Sequence, residues 1–122
     1  MTNSQTEPQK TYNLEKRTLE FSRSIIILCN TLPRNVINNR LMDQLIRSGT
    51  SIGANYREAN ETDTKKDFRN RIRITKKEAK ETTYWLELLK DANPTPMFKI
   101  EQLIKESSEL MKIFASIYEK CK

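Results

Sequence analysis

RSGTSIGANYREAN, residues 47–60, holds both glycines of the chain, Gly49 and Gly53. They lie four positions apart in a segment without proline whose apolar residues recur at helical spacing. In a helix interior each glycine costs roughly 1 kcal/mol relative to alanine. The segment therefore reads as a helix that gives up intrinsic stability for a low profile. Gly49 and Gly53 share a ridge with Ile46 and Tyr56, and Ser48, Ser51 and Ala54 extend the thin surface around the helix. Small groups in a row let a neighbouring helix approach closely. Two partners fit such a ridge: another helix of the same chain, or a second subunit.

Working outward, apolar periodicity predicts three more helices. The first spans 14–31, with Asn13 as its cap; Leu14, Thr18, Phe21, Ile25, Leu28 and Leu32 form one row and Leu19, Ser22, Ile26 and Cys29 a second. Pro33 and Asn35 mark a break. The second helix, 36–60, carries Leu41, Leu45, Ser48, Ile52, Asn55 and Ala59 beside Met42, Ile46, Gly49, Gly53 and Tyr56. A cap at Thr62 or Thr64 starts the third, 65–92, whose seam is Phe68, Ile72, Thr75, Ala79, Thr82, Leu86 and Leu89. Asn93-Pro94-Thr95-Pro96 breaks the chain again, with Thr95 as cap and Pro96 in the first turn of a fourth helix, 97–121. The expected fold is all-α, an antiparallel up-down-up-down four-helix bundle over 13–122 behind a disordered tail at 1–12.

Composition narrows the chemistry. Histidine is absent from the 122 residues, which removes Ser-His-Asp and Cys-His nucleophile pairs and most zinc sites. Cys29 and Cys121 cannot make a metal site alone, and the bundle topology places them on the order of 30 Å apart, too far for a disulfide. MTNSQTEPQK has no apolar core of a signal peptide, and no apolar run approaches the ~20 residues of a membrane span. A cytoplasmic location is expected, with no membrane partner, no cofactor and no enzymatic activity.

The formal charge is +6, and residues 65–80 carry eight basic side chains against two acidic ones, so the whole surplus lies there. Arg69, Arg73, Lys76 and Lys80 form a ridge at steps of four, three and four, with Lys66 and Lys77 beside it. The ridge covers about 16 Å of helix, enough to follow several phosphates. Phe68 belongs to the core seam, so base stacking is not read here. The competing reading is a solvated face whose cations pair with neighbouring carboxylates.

RSGTSIGANYREA resembles the second-helix signature of the bacterial four-helix-bundle family that includes the 23S rRNA intervening-sequence proteins. Arg47, Ser48, Ser51, Ile52, Asn55 and Glu58 match it. Lys66-Asp67-Phe68, Lys77-Glu78-Ala79, Glu81-Thr82 and Tyr84-Trp85-Leu86 resemble the family's third helix. Ala59 stands where a glycine is usual, and Tyr56 replaces a smaller aliphatic residue. The resemblance implies a homo-oligomer, a five-membered ring, related to accessory proteins of diversity-generating retroelements that engage nucleic acid and reverse transcriptase. It implies no enzyme activity.

Ile25, Ile26 and Ile27 cannot all point into one bundle, so Ile27, with Ile74, Trp85 and Leu88, is read as an extension of an interface. Asn55 on the buried row needs partners, either a neighbouring backbone group or Glu78 or Glu81. Glu78 and Glu81, one turn apart beside Trp85, read as buried polar residues pairing with Arg47, Lys77 or Asn55 rather than as an acid–base pair. Tyr84 and Trp85 read as core and interface residues. The function expected is a self-assembling bundle that binds RNA or DNA through the third helix. The alternative is a scaffold whose basic face meets an acidic protein partner.

Overall fold

A computed structural model describes residues 13–94 and 98–121. The tail at 1–12 and the Thr95 cap with Pro96 lie outside the described residues. Four helices make up the described chain: α1 (Leu14–Thr31), α2 (Val36–Ala59), α3 (Lys65–Ala92) and α4 (Phe98–Lys120). No strand occurs among the described residues.

Local chemistry sets the starts. Asn35 accepts from the Asn38 amide at 2.8 Å, and Thr64 accepts from the Asp67 amide at 3.0 Å, each satisfying an otherwise orphaned donor. Asp67 in the first turn of α3 and Lys90 in its last turn both suit the helix dipole. Asn13 departs from expectation. Its backbone (φ −98°, ψ 34°) is not the extended conformation a capping side chain needs, and its side chain makes no cap bond. Its carbonyl accepts from Arg17 instead.

The helices close into a cycle: α1 touches α2, α2 touches α3, α3 touches α4, and α4 meets α1 over a shorter stretch. One core runs through them, with Ile25, Leu28, Leu45, Ile52, Ile72, Leu86, Leu89, Ile100, Leu110 and Phe114 fully buried. Each such side chain contributes about 2 kcal/mol of apolar burial. Tyr56 tilts against Phe114 at 5.3 Å. The buried hydroxyls mostly bond inside their own helix, as Thr18 does to the Leu14 carbonyl at 2.7 Å and Thr75 to that of Arg71 at 2.9 Å. Ser48 and Thr82 also meet across α2 and α3 at 2.9 Å.

The expected apolar faces are wider than the observed core. Leu19, Ile26, Ile27 and Ile46 are exposed, Ile26 and Ile27 at 49% each. Of the second rows, Cys29, Met42, Gly49 and Gly53 are buried, so one chain covers part of each outer row and leaves the rest in solvent.

At one end of the molecule Asn38, only 1% exposed, makes a reciprocal amide pair with Asn93. Asn38 Nδ2 donates to Asn93 Oδ1 at 2.9 Å, and Asn93 Nδ2 returns the bond at 3.0 Å. Asn38 Nδ2 also reaches the Pro33 carbonyl at 2.9 Å, and Asn93 Nδ2 that of Leu89 at 2.8 Å. The pair joins the α1–α2 turn to the end of α3. Asn38→Ala leaves buried polar groups without partners and is expected to cost about 2 kcal/mol, read as a lower denaturant midpoint at unchanged slope.

Candidate nucleic-acid interface

The glycine ridge of α2 faces α1 of the same chain. A methyl group at Gly49 would lie 3.1 Å from Ile25 Cγ1, and one at Gly53 would lie 3.0 Å from Thr18 Oγ1 and 3.2 Å from its Cβ. Neither glycine has a positive φ, so the need is for space and not for backbone freedom.

The basic ridge lies on the face of α3 opposite the buried Ile72, Thr75, Ala79 and Thr82. Lys66, Arg73, Lys77 and Lys80 are exposed, and Arg69 and Lys76 are half-buried at the side facing α4. There the last turn of α4 contributes Tyr118. The Arg69 guanidinium carbon sits 3.7 Å from the Tyr118 ring centroid and Lys76 Nζ 4.8 Å from it. One ring therefore holds two cations that would otherwise repel each other. Arg69 Nε is buried without a hydrogen-bond partner. Arg73 donates to Asn70 Oδ1 at 3.0 Å. A cavity of about 420 Å³ opens here, lined by Lys66, Asp67, Arg69, Asn70, Arg73 and Tyr118.

Among the described residues the ion pairs lie elsewhere. Arg17 bridges Glu106 at 2.7 Å and Glu109 at 2.8 Å, and the bond to Glu106 pushes its guanidinium above the usual range. Lys90 pairs with Glu101 at 2.7 Å, and Arg23 with Glu20 at 3.0 Å. Among the described residues, none of the six ridge cations is in an ion pair. Of the two basic side chains of the segment outside the ridge, Lys65 and Arg71, the latter is turned toward α2 and donates to Asn55 Oδ1 at 3.0 Å.

Asn55 is half-buried, and its Nδ2 donates to the Ser51 carbonyl at 2.9 Å. Its cross-helix partner is thus Arg71 and neither glutamate, because Glu78 and Glu81 are taken by Arg47. Arg47 reaches Glu78 Oε1 at 3.3 Å and also bonds Glu81 Oε2. Trp85 Nε1 donates to the same Glu81 oxygen at 3.2 Å. Both glutamates are half-buried and not fully buried, since the group sits at the rim between α2 and α3.

Ile27 lies exposed on α1, whereas Ile74, Trp85 and Leu88 are half-buried on α3. Tyr84 is not a core residue. It continues the outward face of α3 one turn beyond Lys80 and is 58% exposed. Burial pushes the Cys29 thiol up to about 11, and both cysteines are free.

The part of Tyr118 was missed in the sequence, where it reads only as one more apolar position of α4. The available signal was chain direction: if the fourth helix returns along the third, its last turn lies beside residues 66–76. Among the described residues no cluster of three or more Cys, Asp or Glu side chains could hold a metal ion, and no helix is long and apolar enough to cross a membrane.

No curated protein matches the chain. Among solved structures, a protein with unknown function from the S23 ribosomal protein family of Bacteroides thetaiotaomicron VPI-5482 is 38% identical, with a TM-score of 0.75. The match covers 85% of this chain and 96% of that one. A family model for the 23S rRNA-intervening sequence protein matches residues 10–116. With signature, fold and extent in agreement, this chain belongs to the 23S rRNA-intervening sequence protein family.

Proposed function

We propose that the protein is a non-enzymatic, cytoplasmic, self-assembling up-down-up-down bundle that binds RNA or DNA through the basic face of α3. The direction of the helices is supported by the order of their contacts. Asn38, Ser48 and Asn55 meet Asn93, Thr82 and Arg71, and Lys90, Thr83 and Arg69 meet Glu101, Ser107 and Tyr118. Self-assembly, with a ring of five as its form, is supported by the exposed Ile26, Ile27, Val36 and Ile37 and by the resemblance of α2 and α3 to the family.

One observation carries the nucleic-acid reading: six cations along α3, four exposed and two half-buried against Tyr118, lack carboxylate partners among the described residues, while the ion pairs of the fold use other residues. A face of this kind binds a polyanion by releasing its counterions. A ring would repeat the face and raise avidity. The test is a mobility shift with RNA and DNA over a salt series. Affinity is expected to fall linearly in log–log form with a slope of about −5 if all six cations meet phosphates. A complex formed equally at low and high salt would remove the reading, as would no complex at low salt. The latter result, with capture of an acidic protein, selects the scaffold.

A further inference from the structure

We propose that Tyr84 is the base-stacking residue of this surface and that its ligand is single-stranded nucleic acid, a reading that rests on the basic ridge being the binding face. Two aromatic rings lie along the ridge, and they are in opposite states. Tyr118 is occupied: Arg69 lies 3.7 Å from its centroid and Lys76 4.8 Å away. A base could stack there only by displacing a cation. Its work is to hold two charges in place before any ligand arrives.

Tyr84 is open. It follows Arg69, Arg73, Lys76 and Lys80 on the same helical face, one turn past the last cation, and most of its side chain is in solvent. A large exposed aromatic at the end of a cationic track is the pairing that binds single strands, where phosphates follow the charges and a base stacks on the ring. The ring is also braced. It stands edge-on to Trp85, centroids 5.0 Å apart at 74°. Trp85 is tied through Nε1 to Glu81 at 3.2 Å, and Arg47 fixes that carboxylate from α2. A braced ring loses little freedom when a base settles on it.

Charge says where the strand leaves. Beyond Tyr84 the same face carries Glu87 and Asp91, which repel phosphate. The track thus begins near Lys66, ends at Tyr84, and offers its ring where the backbone turns away. A base in a duplex, stacked between its neighbours, cannot reach it without unpairing.

Trp85 is the only tryptophan, so its emission reports on the ring beside it. The experiment titrates the full-length protein at low salt with oligo(dT) and with a blunt duplex of equal length. The expected result is tighter binding of the single strand, with a change in Trp85 emission that the duplex does not produce. Tyr84→Ala is expected to weaken single-strand binding about tenfold and leave duplex binding unchanged, and Tyr84→Phe to retain both affinities. Circular dichroism of each variant checks the fold, and position 84 is exposed enough for both to keep it. If Tyr84→Ala binds oligo(dT) as native protein does, or the native protein prefers duplex, the assignment of Tyr84 is overturned while the ridge reading stands. If the native protein binds neither probe, nor oligo(U) at the same salt, both fall together.

Discussion

Gly53→Leu is expected to lower the melting temperature by roughly 10–15 °C. The first added atom already falls 3.0 Å from Thr18 Oγ1 and 3.2 Å from Thr18 Cβ, with the Thr18 backbone carbonyl carbon at 3.5 Å. Thr18 cannot swing aside freely, because its hydroxyl is held by the Leu14 carbonyl at 2.7 Å in a fully buried position. Three more carbons then have to enter the same gap. Overpacking of this kind costs about 3 kcal/mol or more after the gain of about 1 kcal/mol in helix propensity. The double variant Thr18→Ala with Gly53→Leu removes the obstructing atoms and is expected to recover part of the loss. Thermal unfolding followed by circular dichroism decides it. Native-like melting of Gly53→Leu would show that α1 and α2 are not in close contact at this point.

The second large effect is on affinity. Changing Arg69, Arg73 and Lys76 to Glu turns six positive charges into three of each sign and is expected to weaken nucleic-acid binding more than about a hundredfold at low salt. The salt slope should fall from about −5 to no more than about −3, because fewer counterions are released. Helix content should be retained. Arg73 is exposed, and the contact of Arg69 with Tyr118 is worth only about 1 kcal/mol at such a site. Affinity and slope that match native protein would move the binding surface elsewhere. A collapse in helix content would instead show that the ridge supports the fold.

Much of this architecture was legible in the residues. Helix bounds follow from local signals: Pro33, Asn35, Thr64 and Asn93 punctuate the chain, and the apolar steps of three and four between them are unambiguous. The buried seam of α3 is read almost residue for residue, with Phe68 half-buried at its end. What failed depends on distant neighbours. Leu19, Ile26 and Ile46 carry the hydrophobicity of core residues, and only the finite width of the groove between two helices leaves them outside. The amide pair of Asn38 and Asn93 joins positions 55 apart in the chain, and nothing local marks either residue as buried. At the candidate site the cations were visible as a run, but their lack of carboxylate partners was not. Nor were the seat of Arg69 on Tyr118 and the open ring of Tyr84, which depend on how α3 is turned.

The Asn38–Asn93 junction has a practical meaning for work with this protein. Its bonds join neutral amides and backbone carbonyls, so neither acid nor added electrolyte weakens it as both weaken surface ion pairs. A concentrated salt wash of the kind that screens the ridge cations is expected to leave this fastening intact. Circular dichroism before and after such a wash is expected to show the same helix content, so protein prepared at high and at low ionic strength can be compared as one folded species.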